Sequence, residues 1–316
     1  MSEEKLKRLV TVSKLYYEEN KTQAEIARIF RVSRPMVSKL LAEARAMGVV
    51  TIHITDATSY DQIAGERLAE RFGLANVLVV PMERDPERTD NAVVTAAYEL
   101  VLKKLKPGGC LGLGWGSLMG RLADYLEEKG EAGRLSGSVC PLIGNAAATY
   151  RSYHPNELVR IFSQRTGLAP SYIYGPAMAE TEEEKRMYQN TDAYASIKAL
   201  WERLDLALVN ISNYPSSPDM ATALRFGSRL AKEKAAGHIL SYFYNREGNF
   251  ILEEDDRLLR IPLKDLKKAG SVAALCAGGV NTSSLEGALA SGLITDLVLN
   301  EAAAAILLEH VTEGKE

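Results

Sequence analysis

The chain of 316 residues is 46% hydrophobic and 25% charged, an ordinary globular composition and long enough for two domains. No apolar run approaches the ~18–20 residues that cross a bilayer, and the opening MSEEKLKRLV lacks the apolar core of a signal peptide, so no membrane association and a cytoplasmic location are expected. Cys110, Cys140 and Cys276 are widely spaced and odd in number, which indicates neither a disulfide framework nor a zinc site.

The net charge of −3 is unevenly shared. Residues 1–55 hold ten Lys or Arg and six Asp or Glu, against 28 and 35 in the remainder. A small basic head on an acidic body suits a head that meets a polyanion.

In chain order, the first expected helix runs from about Glu3 to Glu19, with Leu6, Leu9, Val10, Ser13 and Tyr17 on one face. Asn20-Lys21 break it. Thr22 then caps a second helix, and Glu25 three positions later completes a capping-box pattern. Ile26, Ala27 and Phe30 turn inward. Arg31 occupies a turn position that usually has glycine, where a positive φ costs another residue about 1 kcal/mol. Ser33 is the expected N-cap of a third helix, and Pro35 fits its first turn. Val37, Leu40, Leu41 and Ala44 fall at i, i+3, i+4 and i+7, one buried stripe.

Arg34, Pro35, Ser38 and Lys39 are left on the open face near the N-terminus of that helix. The layout is what a recognition helix entering the major groove of double-stranded DNA requires. The alternative, a protein-binding helical corner, would not need a basic open face. Arg34 suits bidentate readout of a guanine, and Ser38 a base edge or a phosphate. Thr22, Gln23 and Lys39 suit phosphates, and Ser33 and Pro35 complete the expected DNA-facing set. Alternation in VVTIHIT (49–55) predicts a wing strand. Residues 1–55 are therefore expected to form a small all-α, winged helix-turn-helix head.

From residue 56 the texture changes. DATSYDQIAGERLAERFGL reads as a connecting helix. VLVVP (77–81), CLGLGW (110–115), SVCPLIG (138–144), SYIYGPA (171–177), DLALVNIS (205–212), SVAALCAGG (271–279) and DLVLN (296–300) read as buried strands. Helices such as AAYELVLKKL and GRLADYLEEK lie between them. The alternation predicts a Rossmann-like, mainly parallel α/β effector domain over 56–316, with ligands at the carboxyl ends of the strands.

The best anion site is LGLGWGSLMGRLA, where a strand meets Gly112, Gly114, Trp115, Gly116 and Ser117 before a helix. Glycines let backbone amides approach a phosphate, and the helix N-terminus adds partial positive charge. The same loop also reads as a turn needed only for tight strand–helix packing. In NAAATYRSYHPNELVR, Arg151 is a candidate anion ligand and Asn156 a hydroxyl ligand. Tyr150, Tyr153 and His154 suit a sugar pocket. His238, in AAGHILSYFYN, is as readily an ordinary hydrogen-bonded histidine as a ligand.

Together, the head TQAEIARIFRVSRPMVSKLLAEARAMGVVTIHI, then GLGWGSLMGRLA and PLIGN, and finally AGG with ITDLVLNEAAAAILL resemble, in order and spacing, the SorC family of bacterial sugar-responsive transcriptional regulators. The resemblance spans nearly the whole chain. It implies a winged DNA-binding head, an effector domain similar to sugar-phosphate isomerases and glucosamine-phosphate deaminases, and a homo-oligomer, dimer or tetramer, whose operator binding responds to a sugar or sugar phosphate. The candidate effector residues are in all Gly114, Trp115, Gly116, Ser117, Asn145, Arg151, Tyr153, Asn156, His238 and Thr282. No metal, cofactor or catalytic residue is expected.

The departures are informative. His238 stands where the family often has an acidic ligand, and Thr282 where it often has lysine. Ser117-Leu118 replaces a hydroxyl pair, and Asn300-Glu301 an Asp-Glu. These changes predict a retained pocket whose ligand is not the usual phosphosugar: an unphosphorylated polyol, or a phosphosugar held mainly by Arg151 and the glycine-loop amides. The alternative is an isomerase- or deaminase-type enzyme with an appended head, in which His238 or Glu301 would serve as the base such chemistry needs.

Overall fold

The computed structural model describes residues 3–17, 19, 21–47, 49–50, 60–130, 134–146, 149–216, 220–253 and 255–309. The chain forms two compact units, residues 1–57 and 58–316.

The first unit is a three-helix cluster of α1 (Glu3–Tyr17), α2 (Gln23–Phe30) and α3 (Arg34–Ala46). Its core is Leu9, Val12, Ile26, Ala27, Val37, Leu40, Leu41 and Ala44, with Tyr16 and Phe30 packed against it. The buried face of α1 is therefore rotated from the expected one. Leu9, Val12 and Ser13 are inside, while Leu6, Val10 and Tyr17 are exposed. Apolar spacing alone cannot choose between two adjacent helical faces. Contact with α3 does. Of the expected wing, Val49 and Val50 are described and pack on this core; residues 51–55 lie outside the described residues.

The second unit opens with α4 (Gln62–Phe72), β1 (Asn76–Val80), α5 (Pro86–Lys104), β2 (Gly109–Leu113), α6 (Ser117–Lys129) and β3 (Gly137–Pro141). A 3₁₀ turn at Arg151–Tyr153 leads to α7 (Pro155–Thr166), β4 (Ala169–Pro170), α8 (Glu182–Gln189), α9 (Asp192–Trp201), β5 (Leu206–Asn210) and β6 (Ser212–Asn213). Then come α10 (Met220–Arg225), α11 (Arg229–Lys232), β7 (Ala235–Ile239), β8 (Tyr242–Asn245) and β9 (Phe250–Ile251). The end is α12 (Leu263–Leu266), β10 (Val272–Leu275), α13 (Thr282–Ala290), β11 (Asp296–Asn300) and α14 (Glu301–Glu309).

Seven strands make one parallel sheet in the order β1-β11-β10-β5-β2-β3-β4. Both faces are covered, as a parallel sheet requires. Leu111, Leu113, Leu206, Leu208, Ala273, Leu275 and Val298 meet α5, α6 and α7. Their alternating neighbours Cys110, Ala207, Val209, Val272, Ala274, Leu297 and Leu299 belong to the opposite core, with Trp201, Leu285 and Leu307. Cys110 and Cys140, remote in sequence, lie with their sulfurs 4.0 Å apart as free thiols.

Two features differ from the expected strands. SYIYGPA is not a strand; β4 is confined to Ala169–Pro170, because proline removes a ladder donor at this edge. In its place, the Asn156 side chain holds Ile173 through both backbone groups. A second, antiparallel sheet, β6-β7-β8-β9, was not foreseen. Its central turn, Leu240-Ser241, has both residues at positive φ (51° and 58°), so the glycine or asparagine that would announce a hairpin is missing.

Candidate DNA-reading face and effector crevice

In the head, Thr22 caps α2 by accepting from the Glu25 amide, and the Glu25 carboxylate accepts from the Thr22 amide at 2.8 Å. Arg31 follows at φ 53°, ψ 45°, letting α3 start with Ser33 extended. Ser33 occupies the N-cap position, but its side chain makes no capping bond and is exposed. With Val37, Leu40, Leu41 and Ala44 buried beneath it, α3 presents Arg34, Pro35, Ser38 and Lys39 to solvent. An open groove of about 690 Å³ is lined by Tyr16, Tyr17, Lys21, Thr22, Gln23 and Arg34. It joins three of the expected DNA-facing residues, Thr22, Gln23 and Arg34, on one surface. Tyr16, Tyr17 and Lys21 join them; the α1 spacing groups Tyr17 with Leu9 and Ser13, but it is exposed while they are buried.

In the body, strand order reverses between β2 and β5, where the chain proceeds outward in opposite directions. Such a point opens a crevice at the carboxyl ends of the strands. The glycine loop leaves β2 at this place and enters α6. Gly116 has φ +123°, and a β-carbon there would collide with the Asn210 carboxamide at the end of β5. The amides of Gly114 and Gly116 donate to the carbonyls of Leu208 and Ser152, each at 2.9 Å. Trp115 is buried with its ring edge-on to Tyr153, 5.7 Å between centroids. Tyr153's carbonyl accepts from the Ala146 amide, next to Asn145. Loop residues 114–117, Asn145 and Tyr153 therefore form one assembly, and Ser117 is exposed at its rim.

The model described as "Putative sugar-binding domain" matches residues 58–309. Along nearly its entire length the chain is similar to the sorbitol operon regulator of Klebsiella pneumoniae, 28% identical over 95% of this chain and 97% of that one. The crystal structure of that full-length regulator superposes with a TM-score of 0.74, at 27% identity over 96% and 98% of the two chains. The chain belongs to the SorC family of sugar-binding transcriptional regulators. The deoxyribonucleoside regulator of Bacillus subtilis is 26% identical over 98% of this chain and all of its own length.

The remaining SorC-type positions fall as follows. His238 lies on β7 opposite Ser212, buried, with its Nε2 3.1 Å from Ser216 Oγ and its ring 5.4 Å from that of Phe243. Thr282 opens α13 beside its N-cap Asn281. Asn213, just past β5, binds the Gly279 carbonyl and the Asn281 amide, which ties Thr282's loop to the same strand end. Arg151 points away from an anion role: it pairs with Asp124 and Glu127 on α6. Asn156, held by Ile173, is a scaffold group rather than an open hydroxyl ligand. Glu301 accepts from the Met82 amide at 3.2 Å.

Asn210 was missed. Its sequence signal is an asparagine that ends an otherwise apolar strand, LALVN, at the edge where ligands bind. It is 8% exposed, and its Oδ1 has no hydrogen-bond partner among the described residues.

Proposed function

We propose that this SorC-family chain binds operator DNA through Thr22, Gln23, Ser33, Arg34, Pro35, Ser38 and Lys39. A sugar, polyol or sugar phosphate held where β2 and β5 diverge controls that binding. One observation carries the proposal: the exposed basic face of α3 and the sugar-binding body occur in one chain that aligns over 96% of its length with the sorbitol operon regulator. The chain acts in the cytoplasm as a homodimer or tetramer and turns over no substrate.

The switch is a coupling between sites. The effector favours one subunit arrangement, which changes the spacing of the heads against operator half-sites. A tenfold preference for one arrangement amounts to about 1.4 kcal/mol per site.

The test is footprinting of the full chain on the promoter region beside its own gene, with and without candidate sugars. Protection of a two-fold symmetric site that one sugar abolishes or extends is the expected result. Uniform, sequence-blind protection, together with turnover of sugar phosphates, would instead support the enzyme.

A further inference from the structure

We propose that Asn210 selects a neutral polyhydroxylated effector over its phosphorylated counterpart, by accepting a hydroxyl hydrogen bond at the mouth of the glycine loop. This rests on the proposed function, in which the crevice between β2 and β5 is the effector site.

Three observations lead to it. First, Asn210 ends β5 with its side chain nine-tenths buried and its Oδ1 unpartnered among the described residues. A buried amide oxygen without a donor is costly, so the position favours a partner that brings an O–H. The N-terminus of the 13-residue α6 lies directly beside it, across Gly116.

Second, the two glycine amides that would make this loop a phosphate cradle are engaged. Gly114 and Gly116 donate to Leu208 and Ser152, and the lack of a β-carbon at Gly116 admits the Asn210 carboxamide. The loop's glycine thus makes room for an amide side chain.

Third, the segments that follow β2, β3, β5 and β10 carry no fixed cation before Arg151. Residues 114–120, 142–146, 210–216 and 276–282 contain no Lys or Arg, and Arg151 is paired with two carboxylates. A phosphate dianion would rely on helix-end amides alone. Polyol hydroxyls, by contrast, both donate and accept, and so match an asparagine, a serine and backbone groups.

The experiment uses the full chain and pairs of probes: ribitol, xylitol and glucitol against their terminal phosphates, read by thermal shift and calorimetry. The neutral member of at least one pair is expected to bind roughly tenfold or more tightly than its phosphate. Asn210→Leu, similar in size but without the acceptor, is expected to lose roughly tenfold or more in that affinity while keeping operator binding. Asn210→Asp retains an acceptor beside a helix N-terminus that tolerates negative charge, and keeps the response. It also covers the case in which the leucine variant fails to fold.

Tighter binding of the phosphates, unchanged affinity in Asn210→Leu, loss of the response in Asn210→Asp, or no response to any neutral probe overturns the proposal. Each of these outcomes leaves sugar-controlled operator binding intact if the footprint still changes with some sugar. Failure of the footprint itself removes the regulator reading instead.

Discussion

Arg31 holds φ 53° and ψ 45° in the turn between α2 and α3, a conformation that costs a residue with a β-carbon about 1 kcal/mol. Arg31→Gly is expected to stabilise the head by roughly 0.5–1 kcal/mol, seen as a higher thermal midpoint. The same variant binds operator more weakly at low salt, because one cation near the DNA-facing surface is gone. A stabilised head with unchanged operator affinity would show that the arginine is placed there without regard to DNA. Arg34, exposed at the start of α3, carries base recognition in the proposed function. Arg34→Ala should cost roughly 1–3 kcal/mol of specific binding and relax preference at one operator position, measured by selection from a randomised site. A uniform loss at every position would move Arg34 to the phosphate contacts.

At the level of elements, the capping box orders α2. Hydrogen bonds from the Thr22 side chain and backbone hold the Glu25 carboxyl below its ordinary value. A depressed carboxyl contributes stability above its unfolded pKa and loses it as pH falls through the folded one. The cap should therefore open on acidification below the ordinary glutamate range, visible as faster exchange of the Thr22 and Glu25 amides. Thr22→Ala should cost about 1 kcal/mol at neutral pH.

In the body, Asp296 binds four residues at the amino end of the sheet: Lys104 at 2.6 Å, Asn76 at 2.6 Å, Thr295 at 2.7 Å, and Ser271. Burial raises its pKa, and these bonds together lower it further than burial lifts it. Its contribution is thus present at neutral pH and lost in acid. Asp296→Ala removes the one carboxylate that Lys104, Asn76, Ser271 and Thr295 share. A loss of about 3 kcal/mol is expected in denaturant unfolding of the chain, and a loss below 1 kcal/mol would mean that the network reorganises.

At the level of the whole molecule, regulation is a coupling between the operator and effector sites, and coupling is reciprocal. If an effector weakens operator binding by a given factor, operator DNA must weaken effector binding by the same factor. Calorimetric titration of the effector into the free chain and into the operator complex checks this equality. An effector at 100 times its Kd should also stabilise the chain by about 2.7 kcal/mol. A shift in operator affinity with no reciprocal shift would mean that the sugar acts on something other than this chain.

Local periodicity and capping chemistry made much of the architecture legible. The stripe Val37, Leu40, Leu41 and Ala44, the Thr22–Glu25 box, the strained Arg31 and the apolar strands of the parallel sheet all follow from spacings of a few residues, because each is settled by neighbours along the chain. Other features depend on segments far apart in sequence. The rotation of α1 is chosen by α3, and the antiparallel sheet has a turn without glycine. Arg151 is drawn to carboxylates on α6, and Asn156 to the backbone of Ile173. Asn210 meets Gly116 only because β5 lies beside β2, although the two are 94 positions apart in sequence. Hydrogen bonding and charge pairing are contacts in space, so only the assembled sheet decides which polar side chain is a scaffold and which faces a ligand.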